Sequence, residues 1–151
     1  PYTTLFRSAL VQRVDFAKLV CEDYKTEIGL GYVVFLGIKT TDTDKDYDFI
    51  LRKILNLRIF QDKDGKMNKN LKQVNGSILL VSQFTLYGDV KNNNRPSFTL
   101  SAPKELALHY YEKMIVDLRK HFPVETGVFG GHMHITYLND GPLSILIDSE
   151  A

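Results

Sequence analysis

The chain has 151 residues, 44% of them hydrophobic and 25% charged, with a net charge of +1. This is ordinary globular material with enough length for one domain and a core, and the balanced charge marks out no nucleic-acid partner by itself. A single cysteine, Cys21, excludes an internal disulfide, and no apolar stretch reaches the length of a membrane span, so no membrane partner is expected.

Ala9 to Val14 alternates apolar and polar residues, with Leu10 out of phase, and predicts a first strand. Ala17 to Cys21 predicts a second, with Cys21 as a small buried hydrophobe. Glu22-Asp23 suits a turn before a strand over Lys25 to Ile28. Gly29-Leu30-Gly31 leads into Tyr32 to Leu36, a continuous apolar run that predicts a central strand. No Lys-Ser/Thr follows these glycines, so they suit a turn or bulge rather than a phosphate loop. Asp42, Asp44, Asp46 and Asp48 read as a solvated helix start, and Tyr47, Ile50, Leu51, Ile54 and Leu57 follow with helical spacing. Asp64-Gly65 marks a turn within Gln61 to Asn75.

Asn75-Gly76 then opens Ser77 to Leu86, around which the chain is organised. Ile78 to Val81 predicts a strand buried on both faces, and Ser82, Gln83 and Thr85 bring hydroxyl and amide groups to its end. A rigid strand ending in small polar groups either builds a site or caps a turn, and the residues alone leave both open. Pro103 suits the first position of a second helix, with Leu106, Tyr110, Met114, Leu118 and Phe122 on one face and Pro123 as its stop. Met133 to Leu138 and Leu143 to Asp148 predict two strands joined by a turn at Asn139-Asp140-Gly141-Pro142. The pattern adds up to one mixed α/β domain with two main helices.

Familiar catalytic arrangements are sparse. His132 and His134 would share a strand face and could hold a metal, but no Cys pair or Glu-x-x-His accompanies them, and no metal or cofactor is expected. His109 and His121 have no Ser or Asp partner nearby in sequence. Charge distribution says more than net charge. Arg52, Lys53, Arg58, Lys63, Lys66, Lys69 and Lys72 face only Asp62 and Asp64, seven basic residues against two acidic, a local net of +5. Such a cluster either tracks a phosphate backbone or is a solvated face.

Ser82-Gln83-Phe84-Thr85-Leu86 resembles the signature of the D-aminoacyl-tRNA deacylases, and Asn139-Asp140-Gly141-Pro142 resembles that family's second signature. Gln12-Arg13-Val14, Leu57 to Phe60, Gly65 to Asn68, Arg95 to Phe98 and Thr126 to Gly130 match in the family's order, over roughly Ala9 to Asp148. Pro1 to Ser8 lie outside the resemblance and are expected to be a non-native or disordered extension, with a single domain over residues 9–151. The resemblance implies a three-layer β-β-α fold with mixed and antiparallel sheets, working as a cytoplasmic homodimer that hydrolyses the ester of D-aminoacyl-tRNA and acts on no DNA.

The resemblance also implies the site. Ser82, Gln83, Phe84 and Thr85 are its catalytic segment, and Phe129, Met133 and Arg13 join Gly141 and Pro142 in substrate binding and chiral selection. In the family the Gly-Pro pair has a cis peptide bond and reaches into the partner subunit's site. Lys63, Lys66, Lys69, Lys91 and Arg95 become candidates for tRNA binding. Thr85 has been the family's candidate nucleophile. The ester is already activated, however, and the sequence places no base beside Thr85. A route assisted by the neighbouring ribose hydroxyl is therefore expected, with Thr85 lining the site. Glycine has no side chain to reject, so glycyl-tRNA is expected to be hydrolysed as well. The chain departs from the family at Gly131-His132, where a small residue and an acid are usual, and it matches poorly over Asp15 to Glu22. The competing readings are a non-catalytic tRNA-binding module and a related deacylase acting on L-aminoacyl mischarges.

Overall fold

The computed structural model describes residues 7–41 and 43–149. Asp42 and most of the expected extension over residues 1–8 lie outside them, while Arg7 and Ser8 pair with Ile38 and Gly37. The elements run β1 (Arg7–Cys21), β2 (Tyr24–Ile28), β3 (Gly31–Ile38), α1 (Asp44–Asn56), β4 (Phe60–Gln61), β5 (Met67–Lys69), β6 (Ser77–Ser82), α2 (Lys104–Arg119), β7 (Val124–Thr126) and β8 (His134–Asp148).

Three layers result. In the middle, β3, β6 and β7 are parallel neighbours, joined by crossovers that carry α1 and α2. The first half of β1 pairs antiparallel with β3, and its second half with β2, so this strand passes from the middle layer to the outer one. All eight residues of β3 are buried, as its unbroken apolar run predicts. Tyr32, Val34, Leu36, Ile78 and Leu80 face the helices, against Tyr47, Ile50, Ile54, Tyr111, Met114 and Leu118. Val33, Phe35, Leu79 and Val81 face the other way, against Val14, Ala17, Leu19, Cys21 and Ile28. Each Val, Leu or Ile among them contributes about 1.5–3 kcal/mol by leaving water. β3 and β6 start in close contact: a Cβ on Gly31 would lie 1.8 Å from the Ser77 carbonyl oxygen, so only glycine fits there.

Three expectations need correction. The two strands expected over Ala9 to Val14 and Ala17 to Cys21 are one strand, β1, with an irregularity between Val14 and Ala17. Asn139 to Pro142 does not reverse the chain. Both halves of β8 run antiparallel to the same β1, with Asn139 opposite Val14 and Ser144 opposite Gln12. Asp140 to Leu143 is therefore a bulge on one strand: turn residues mark a departure from the ladder, and a bulge uses them as readily as a hairpin. Finally, Asp46 is buried rather than solvated. Its carboxylate accepts hydrogen bonds from the Thr43 N–H (2.9 Å) and hydroxyl (3.0 Å), closing the start of α1.

Candidate active site

The end of β6 and the turn after it form one wall of a cleft of about 800 Å³. The Gln83 N–H still bonds to the Leu36 carbonyl (2.9 Å), extending the β3–β6 pairing by one step. The chain then tightens into a single 3-10 turn over Phe84–Tyr87. The N–H groups of Phe84 and Thr85 open that turn, where no earlier carbonyl of the turn can reach them. The Gln83 side-chain amide donates to the Thr85 hydroxyl (2.9 Å), and Ser101 donates to the Phe84 carbonyl (3.0 Å). Phe84 is 58% exposed, with its ring edge-on to Phe98 at 5.0 Å.

The opposite wall is Phe129 to Met133 with Ile135, and the first turns of α2 close the end through Lys104 and Ala107. Tyr111 backs this wall. It donates to the Leu80 carbonyl (2.9 Å), packs against Phe129, and is pushed up to about 12, chiefly by burial, so it stays neutral. The cleft thus offers amide and hydroxyl groups beside apolar surface. Neither a carboxylate nor an imidazole is hydrogen-bonded to Thr85 among the described residues. His132 lines the cleft, its ring perpendicular to that of His134 at 5.2 Å. No third His, Cys, Asp or Glu among the described residues joins them in a metal-sized group.

Ser82, Gln83, Phe84, Thr85, Phe129 and Met133 are therefore brought together. Arg13, Gly141 and Pro142 lie elsewhere, where β3 begins rather than where it ends. The Gly141-Pro142 peptide is cis, and both residues are exposed. Arg13 is buried beneath them. Its guanidinium donates to the Asp140 carbonyl through Nη2 (3.0 Å) and Nε (3.2 Å), and to the Ile59 carbonyl through Nη1 (2.6 Å). Burial pushes the neighbouring Tyr32 hydroxyl far above its ordinary value, with the Arg13 charge opposing the shift. A Cβ on Gly141 would meet the Leu143 nitrogen at 3.0 Å and Arg13 Nη2 at 3.3 Å, at a φ of +135°.

Lys63, Lys66 and Lys69 lie on the β4–β5 hairpin and its turn, next to Ile59. Lys91 and Arg95 lie on the loop from Gly88 to Leu100, which the Asp89–Ser97 bridge closes and whose Phe98 lines the cleft. Sequence reasoning passed over Ser101, Ala102, Lys104 and Ala107. The only signal for them was the start of the second helix, where Pro103 is the N-cap rather than the expected first helical residue and sets the first turn, from Lys104, at the cleft.

The D-Tyr-tRNA(Tyr) deacylase family model matches residues 10–148. The chain belongs to this family. A D-aminoacyl-tRNA deacylase of Thermotoga petrophila is 48% identical over 143 residues, covering 93% of this chain and 96% of the relative. That of Prosthecochloris aestuarii is 45% identical, with 93% and 98% covered. Among solved structures, a c-Myc DNA unwinding element binding protein is 40% identical, with a TM-score of 0.88 over 95% of this chain and 99% of that one. A probable eukaryotic D-amino acid tRNA deacylase shares the fold, with a TM-score of 0.82 at 18% identity over 95% and 100% of the two chains. Deacylases of this family are enzymes that hydrolyse an ester bond.

Proposed function

We propose that this chain is a cytoplasmic homodimer that hydrolyses the ester joining a D-amino acid to the 3′ end of tRNA. The observation that carries this reading is the cleft in which Ser82 to Thr85 meets Phe129 and Met133, with no carboxylate or imidazole hydrogen-bonded to Thr85 among the described residues. An aminoacyl ester needs little activation. Water adds to the carbonyl carbon, the C–O bond to ribose breaks, and the ribose oxygen leaves with a proton. The adjacent ribose hydroxyl assists that proton movement. The N–H groups of Phe84 and Thr85 serve the oxygen on which negative charge develops, and the Gln83 amide orients the Thr85 hydroxyl. Thr85 lines the site in this scheme and forms no covalent bond.

Chirality is selected by backbone. A cleft that accepts many side chains cannot grip them, so it excludes the L arrangement about Cα. Gly141 and Pro142 are exposed and distant from their own cleft. This supports a role in a second copy's cleft, and Arg13 holds them from below. Glycyl-tRNA has nothing for such a filter to reject and is hydrolysed too. Lys63, Lys66, Lys69, Lys91 and Arg95 bind the RNA backbone.

The test is deacylation of matched D- and L-aminoacyl-tRNA, with glycyl-tRNA alongside. The D and glycyl esters are expected to be cleaved and the L ester spared about a thousandfold, a difference of about 4 kcal/mol. Equal rates on D and L, or preference for L, would sink the reading. Because one solved relative is named for DNA binding, unlabelled DNA belongs in the assay as competitor. It is expected to leave the rate unchanged.

A further inference from the structure

We infer that the β4–β5 hairpin of one subunit grips the tRNA whose acyl end lies in the other subunit's cleft. This rests on the reading that Gly141-Pro142 enters the partner's cleft. Within a chain, cleft and hairpin sit at opposite ends of the central layer. The cleft is lined by Leu36, Ile38 and Ser82, at the ends of β3 and β6. The hairpin is rooted where β3 begins: Phe60 stacks on Tyr32 with ring centroids 5.4 Å apart, and Phe60 pairs with Lys69.

Arg13 decides which cleft the hairpin serves. One buried guanidinium holds the Ile59 carbonyl at 2.6 Å and the Asp140 carbonyl at 3.0 Å. The residue before the hairpin and the residue before Gly141 are thereby fastened to the same group. A guanidinium is planar and its donors are fixed in a fork, so the two segments move together. Whatever site the Gly-Pro bulge reaches, the hairpin reaches its rim.

The hairpin itself is stiff. Its turn is closed by Asp62, whose carboxylate accepts from the Asp64 N–H (2.8 Å) and the Lys66 N–H (3.0 Å). Arg58 fastens the root by donating to the Asn68 carbonyl (3.0 Å). Lys63, Lys66 and Lys69 are exposed upon it. They meet the phosphates of the acceptor strand upstream of the acyl end. Lys91 and Arg95, on the loop that lends Phe98 to its own cleft, act in cis. Each tRNA is then held by a loop of one subunit and the hairpin of the other.

Mixed dimers separate the two assignments. Differently tagged chains are coexpressed and the mixed particles purified. In the first, one chain carries Lys63→Ala, Lys66→Ala and Lys69→Ala, and the other carries Thr85→Trp, which blocks its cleft. Only the first chain has an open cleft, and only its partner has a charged hairpin. Action in trans restores kcat/KM at low salt to about half the wild-type value per dimer, through KM, whereas the triple-alanine homodimer falls about tenfold or more. In the second particle one chain carries all four changes and the other is wild type, and the expectation reverses: activity stays low. Half-activity in the second particle with low activity in the first would overturn the trans assignment. A triple-alanine homodimer equal to wild type would remove the hairpin from RNA binding and overturn it too. Sedimentation keeps the underlying reading separate, because a fully active monomer would sink the dimer itself.

Discussion

Arg13 is worth more to this molecule than its place in a short sequence match suggests. It is 7% exposed, and its charge is met by carbonyl oxygens and, at 3.4 Å, by the Asp140 carboxylate. Removing the guanidinium leaves the Ile59 and Asp140 carbonyls without their donor, each at about 1–3 kcal/mol. Arg13→Met is therefore expected to lower stability in urea by about 2–4 kcal/mol and to narrow the D-to-L ratio, because the bulge loses its support. Unchanged stability and ratio would mean the bulge is held by other groups. The match Gln12-Arg13-Val14 pointed to the residue but not to this work. Nothing in a sequence tells an arginine that touches substrate from one that braces a carbonyl. Ser82 to Thr85 was the easier case: there the polar groups themselves end a strand that is buried by composition, so position and chemistry coincide.

The helices show why element types were readable and their joints were not. Apolar spacing located α1 and α2, and the buried Tyr110, Met114 and Leu118 follow the expected stripe. The same spacing hid what ties them together. Tyr47, counted as a core residue, donates its hydroxyl to the Asp117 carboxylate across the helix pair, and Tyr110 donates to Asp44 (3.0 Å). Asp117 is held below its ordinary value, first by the Tyr47 hydroxyl and then by Lys120. A depressed carboxyl stabilises the fold at pH above its unfolded value and loses that effect as pH falls through the folded one. Tyr47→Phe is thus expected to cost about 0.5–1 kcal/mol near neutrality, since the Asp117 carboxyl is only partly buried, and less once Asp117 is protonated. Chemical denaturation of both proteins between about pH 6 and pH 2 checks this: the two curves should converge on the acid side. A constant gap would point to packing instead. The merged strands failed for a related reason. Periodicity reports which face a residue occupies, and a bulge resets that face as a turn would, so β1 and β8 each read as two pieces.

Over the whole molecule the near-zero net charge hides a segmental one. The stretch Arg52 to Lys72 carries its local +5 from the end of α1 through the hairpin, while acidic Asp44 and Asp46 sit at the far end of that helix. RNA affinity should therefore depend strongly on salt despite the overall +1. Alanine at Lys63, Lys66 and Lys69 together is expected to flatten the log-affinity against log-salt slope by about 2–3, at about 0.7–0.9 for each phosphate that is no longer neutralised. A titration from low to moderate salt with uncharged tRNA measures it, and an unaltered slope would make these lysines a solvated face. One further consequence comes from the seam between β1 and β8. Five residues of β8, Asn139 to Leu143, span the step that two residues of β1 cover before Ser144 rejoins the ladder. The surplus is already looped out, so gaining or losing a residue there leaves the inward and outward faces of both flanks as they were. The same edit in β6 would turn Ile78 to Val81 inside out. The stretch that the proposed dimer would set against the partner's substrate is thus the one where chain length can vary without refolding the domain.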